Sequence, residues 1–154
     1  MSIYGLKIMY NTNTRKYLRQ ATESWKQECI RKANYTCYVS GKKKGKSNLI
    51  LTVHHSETSF ESIVKQAHDA LGIKYRRTTT EYQPGELKAV MEEVERIHRE
   101  EHIEGIVLTK EIHDSFHAQY GKNAPMADLR AMKKNYRKTQ VKNRNRCYKQ
   151  KRSA

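Results

Sequence analysis

The sequence predicts an α+β chain, mostly helical, with short strands. Three observations carry that reading. Two apolar, β-rich runs, Leu49–Val53 and Ile106–Leu108, are too short for helices. The stretches around them repeat apolar residues every three to four positions, the period of an amphipathic helix. Capping residues and glycines fall where those periodic stretches begin and end. The 154 residues suit one modest domain with extensions.

The elements follow in order. Leu18, Ala21, Trp25, Cys29 and Ala33 predict a helix over 15–33. Tyr35–Val39 is β-branched and aromatic and predicts a short strand. Residues 41–48 hold two glycines and four lysines and predict a solvated turn. Leu49–Val53 predicts a buried strand. Thr58 and Glu61 have capping-box spacing before Phe60, Ile63, Val64, Ala67 and Leu71, with Gly72 as the stop. Residues 73–83 form a Thr-rich basic connector. Pro84 then sits where a first helical residue belongs, and Leu87, Val90, Met91, Val94 and Ile97 make a stripe running to Glu104-Gly105. After the strand at 106–108, Thr109 caps a helix ending at Tyr120-Gly121. Residues 126–150 predict either a helix or a disordered basic arm, since Leu129, Met132 and Tyr136 make only a weak stripe.

Composition excludes several classes. No run approaches the roughly 20 apolar residues of a membrane span. The first residues include Tyr4, Lys7 and Asn11 without an apolar core, so no secretory leader is expected. Cys29, Cys37 and Cys147 cannot pair evenly and form no CxxC, which points to a reducing cytoplasm.

Charge is segregated. The net charge is +15. Residues 1–52 carry +9, residues 53–129 carry −5, and residues 130–154 carry +11 without one acid. Basic flanks of this kind are the footprint of a polyanion binder, because each phosphate neutralised releases counterions.

The histidines are placed unevenly. His54-His55 ends an apolar strand, and His113 and His117 stand four apart on the helix after Leu108. Histidines at i and i+4 face the same way and can bind one ion from a rigid helix, with a strand histidine as third ligand. Successive strand residues point to opposite faces, so one of His54 and His55 ligates and the other can act as a base. Either pattern alone is weak; their order in a basic chain is specific. His68, His98 and His102 lie elsewhere on the expected helices, and His98 is read as solvated or as a helix-end histidine.

These residues resemble a known family. Trp25, Cys37, Ser40-Gly41, then Leu51-x-Val53-His54-His55, then Gly105–Leu108 followed by His113, Phe116-His117 and Tyr120-Gly121, look like the HNH nucleases, most of all the small ones of phages and mobile introns. The resemblance spans roughly residues 22–125. It implies a ββα-metal (His-Me finger) motif at 49–55 and 105–121, a helical insertion at 56–104, and a basic C-terminal arm at 126–154 beyond a nuclease domain of 1–125. By resemblance His54 and His117 are metal ligands, His55 is the general base, and His113 is a further ligand as in the similar nuclease colicins. The cofactor implied is one divalent ion (Mg, Mn, Zn or Ni).

Two departures stand out. Many members hold a structural zinc with two CxxC pairs. Here those positions read Cys37…Ser40 and Thr109…Ile112, so no structural zinc is expected, and Trp25, Val39, Leu108, Ile112 and Phe116 must hold the motif by packing. Where the central asparagine stands, this chain has His102, Ile103 and Glu104, so a backbone group or another side chain must orient His55.

The implied activity is hydrolysis of DNA phosphodiesters, by nicking or double-strand cleavage, leaving 5′-phosphate and 3′-hydroxyl ends. The partner is double-stranded DNA, bound by a monomer or homodimer. Its backbone would meet Lys42, Lys43, Lys44 and Lys46 on the turn, Arg76 and Arg77 on the connector, and Lys133, Lys134, Arg137, Lys138, Arg144 and Arg146 in the tail. The alternatives are a degenerate HNH scaffold that binds DNA or RNA without chemistry, and a basic structural protein.

Overall fold

The computed structural model describes residues 13–45, 48–122 and 124–152. Lys46, Ser47 and Asn123 lie outside the described residues. The architecture is α+β and mostly helical, with a two-stranded antiparallel sheet. The chain divides into two compact units, Met1–Glu28 with Thr58–Glu104, and Cys29–Glu57 with Gly105–Ala154. The tail groups with the strands, and the segment between the strands groups with the N-terminal helices.

In the first unit, the helix expected over 15–33 is interrupted. Helix α1 (Thr14–Leu18) passes through a 3₁₀ turn at Arg19–Thr22 into α2 (Glu23–Lys32), whose C-terminal residues belong to the second unit. The Thr22 hydroxyl donates back to the Arg19 carbonyl at 2.7 Å, a local bond that tightens the turn.

Helix α3 (Phe60–Leu71) starts one residue later than the capping box places it. Ser59, not Thr58, accepts the Ser62 N–H at 3.1 Å, and Glu61 pairs with Arg15. The shift makes Phe60 the first helical residue, and its ring is buried in the core. Gly72 ends the helix at φ +64°, the left-handed conformation glycine adopts without strain.

Helix α4 (Glu86–Glu100) is capped at Gly85, so Pro84 sits in the preceding turn and not inside the helix. The Glu86 carboxylate instead accepts the Gln83 N–H at 2.8 Å. The helix ends before Glu104 because His102 takes φ +51°. Ile63 and Ala67 of α3 pack with Val90, Val94 and Ile97 of α4, all fully buried, and with Leu18. Each large aliphatic side chain so buried stabilises the unit by about 1.5–3 kcal/mol.

Two histidines are built into this unit. His68 donates from Nδ1 to the Val64 carbonyl at 2.7 Å, and its Nε2 meets the Tyr82 hydroxyl at 2.8 Å. The same hydroxyl accepts the Arg76 N–H at 3.0 Å, which ties down the connector. His98 is at the helix end as expected but is 3% exposed and not solvated. It donates to Val94 O at 2.7 Å and meets Trp25 edge-on at 5.0 Å. Trp25 donates to Ile103 O at 2.8 Å, which ties its indole to this unit.

Burial holds the His98 imidazole below its ordinary pKa, with Lys26 adding in the same direction. Above pH 6.5 both folded and unfolded chains keep this ring neutral. Below it the unfolded chain takes a proton that the folded site resists, so stability falls with acidification. Urea unfolding across pH 7 to 5 is expected to show that loss. His98→Leu is expected to reduce the slope; an unchanged slope would remove His98 as one of its sources.

In the second unit, the strand expected at 35–39 does not form. Asn34 and Tyr35 take φ +49° and +55°, outside the extended region. Cys37 N–H then reaches Lys42 O at 2.9 Å and Gly41 N–H returns to Cys37 O at 2.9 Å, closing a tight loop. Strand β1 (Leu51–His55) begins two residues later than predicted and takes both histidines into the ladder. It pairs antiparallel with β2 (Gly105–Thr109), with His54 opposite Ile106 and His55 opposite Gly105.

Helix α5 (Lys110–Tyr120) follows β2 directly, capped by the Thr109 hydroxyl on the Ile112 N–H at 3.3 Å as the sequence predicts. Helix α6 (Met126–Arg152) settles the tail as helical. Cys37, Val39, Leu108, Phe116 and Leu129 form the core, and Ile112, Met132 and Tyr136 pack against it. The weak stripe is thus the anchor of α6. Residues 137–146 beyond it are exposed.

Candidate metal centre

The site is assembled by β1 and by α5, which leaves β2 without a loop. His54 is 6% exposed and faces the core side of the sheet. The Phe116 ring stands against it edge-on at 5.2 Å, which fixes the imidazole plane. His113 and His117 project from α5 one turn apart, with ring centroids 4.5 Å from each other. They lie 5.6 and 5.2 Å from the His54 ring. One nitrogen from each of the three lies within 4.8 Å of the others.

The nitrogens suit an ion in spacing and in protonation. His117 Nδ1 donates to the Gly121 carbonyl at 3.1 Å, and a carbonyl can only accept. Its Nε2 therefore carries the outward lone pair in the neutral ring, 3.2 Å from His113 Nε2. Tetrahedral ligands at 2.0–2.1 Å from zinc would stand about 3.3 Å apart. His54 is pushed down to about 4 by burial first, then by His113 and His117. At neutral pH it presents a lone pair and no charge, the form a metal requires. Three imidazoles leave a fourth tetrahedral position for water or phosphate.

Outer groups stand beside two of the candidate ligands. Asp114, itself paired with Lys110, lies 3.8 Å from His113 Nδ1. Lys110 and then His113 hold the Asp114 carboxyl below its ordinary range, so it stays ionised. Such carboxylate and carbonyl contacts fix ring orientation and raise ligand basicity. Gly121 turns its carbonyl back to His117 at φ +85°, a conformation that favours glycine. Sequence reasoning read Gly121 as a stop and as part of the resemblance, not as a partner of His117, and overlooked Asp114. A backbone acceptor leaves no side-chain signature, whereas Asp114, adjacent to His113, was visible.

Compared with family models, curated proteins and solved structures, the chain matches none.

The other expected site residues are distributed as follows. His55 is half-buried at the end of β1, adjacent in the chain to His54 and by strand alternation on the opposite face. Lys42, Lys43 and Lys44 are exposed on the tight loop. Lys134, Arg137, Lys138, Arg144 and Arg146 are exposed along α6, and Lys133 lies over the Tyr38 ring with its ammonium 3.5 Å from the centroid. Arg76 and Arg77 are exposed in the first unit. Cys37 is 1% exposed, and its sulfur accepts the Thr109 N–H at 3.4 Å, tying the loop to the start of α5.

The units differ sharply in charge. The second holds nineteen Lys and Arg against four Asp and Glu, a net of +15. The first holds twelve of each and is neutral. All of the net positive charge therefore belongs to the unit that carries the histidine cluster.

Proposed function

We propose that the chain is a metal-dependent DNA endonuclease of the HNH, ββα-metal kind, hydrolysing phosphodiester bonds as a nicking or double-strand-cleaving enzyme. The observation that carries the reading is the convergence of His54, His113 and His117 in the unit bearing the whole net charge. Phosphodiester hydrolysis needs a positive centre at the phosphate, a base for water, and a surface that holds a polyanion. The second unit offers candidates for all three.

His54, His113 and His117 would hold the ion, with His54 backed by Phe116 and His117 by Gly121. A divalent ion there supplies charge to offset the phosphorane and to stabilise the leaving 3′ oxygen. His55 removes the proton from the attacking water, a task suited to a neutral imidazole. Lys42, Lys43, Lys44 and the cations of α6 hold the duplex backbone. Residues 137–146 of α6 are exposed and, Val141 apart, polar, and such a helix gains by acquiring a partner. Its sixteen residues from 137 to 152 extend about 24 Å, enough to follow several phosphates.

Supercoiled plasmid tests the reading. It is expected to convert to open-circle or linear forms with Mn²⁺, Mg²⁺ or Zn²⁺ and to stay intact in EDTA, with 5′-phosphate ends that ligase can seal. Salt-dependent duplex binding with no cleavage under any divalent ion would instead favour the non-catalytic scaffold.

A further inference from the structure

The second unit has an open cleft of about 420 Å³ that shares no residue with the histidine cluster. Its walls are the loop around Tyr38, the edge of β2 at Gly105–Val107, and Lys133 and Arg137 of α6. Lys133 and Arg137 are four apart, so both stand on one face of that helix.

The strand edge contributes donors. Val107 O accepts the Tyr38 N–H at 2.8 Å, and the Thr109 N–H goes to Cys37 Sγ. The odd-numbered peptide groups of β2 therefore face away from β1. By the same alternation the Gly105 N–H faces this side, and a glycine there lets a ligand come close to the backbone. The Lys133 ammonium rests on the Tyr38 ring, 3.5 Å from its centroid, a contact readily exchanged for an anion.

We infer that this cleft is a subsite for one non-scissile DNA phosphate, held jointly by Lys133, Arg137 and the β2 edge. The inference rests on the nucleic-acid reading above and deepens it. Two cations converging on one concave spot suit a single phosphodiester, with the arginine fork and the lysine point charge on different oxygens. A phosphate fixed here sets the register of the duplex without reading its sequence.

The test uses the full chain in EDTA and a fluorescein-labelled 20-bp duplex, with affinity measured by anisotropy from 50 to 200 mM salt. Each phosphate neutralised contributes about 0.9 to the slope of log K against log salt. The K133Q/R137Q double variant is expected to lose about 0.9 in slope and about tenfold in affinity near 0.1 M salt, with single variants that do not add. The charge-conserving K133R/R137K is expected to keep the wild-type slope. An unchanged slope, or a loss of about 1.8 in two equal independent steps, would overturn the single-phosphate cleft while leaving the nuclease reading intact. Failure of the wild-type chain to bind the duplex would remove the nucleic-acid reading itself and the cleft with it.

Discussion

His55→Ala is expected to lower the rate of plasmid cutting by about 10²–10⁴-fold, the usual contribution of a positioned general base. Zinc affinity should stay within a few-fold of wild type, because the ion would be held by His54, His113 and His117 and not by its neighbour. The separation of the two readouts is what matters. Strand alternation places His55 on the face opposite His54, so truncating one should not move the other. Half-buried at the end of β1, His55 can lose its ring with little effect on the core. Its assignment as base fails if the variant cuts at the wild-type rate. Loss of metal together with cutting would make His55 a ligand instead.

His117→Ala has the second largest expected effect, and on the other readout. It removes one of three candidate ligands and the Nδ1 donor to Gly121. Zinc affinity measured by calorimetry should fall by more than the 10–100-fold typical of losing an outer partner, with cutting lost in parallel. Asp114→Asn provides the comparison. It keeps the ligand and weakens only the carboxylate near His113 Nδ1, so its loss should remain within about 10–100-fold. Circular dichroism separates these effects from unfolding. His117 is only partly buried, whereas Phe116 beside it is fully buried and holds the core. Equal affinity in His117→Ala and wild type would take this residue out of the metal centre.

The grouping of His54, His113 and His117 was readable from sequence because its signals are local. Residues four apart on a helix share a face whatever the rest of the chain does, and Thr109 caps that helix through its own side chain. His54 was reachable because an apolar run set its strand. The misreadings have the opposite cause. Tyr35–Val39 has strand composition, but left-handed Asn34 and Tyr35 and the Cys37–Lys42 bond close a loop. Thr58 and Ser59 are both good caps, and burial of Phe60 accompanies the choice of Ser59. His98 looked solvated because its position beside the stripe hides the neighbouring Trp25. The tail was ambiguous because three anchoring residues, Leu129, Met132 and Tyr136, support a 27-residue helix.

The nuclease reading of this chain depends on a cation seated among three imidazoles. Crystals grown with Zn²⁺ or Mn²⁺ and measured at the metal absorption edge test that directly. The account predicts one strong anomalous peak within about 2.0–2.3 Å of His54, His113 and His117, with a water or phosphate completing the shell. Anomalous density elsewhere, with His113 and His117 still hydrogen-bonded to each other, would contradict it.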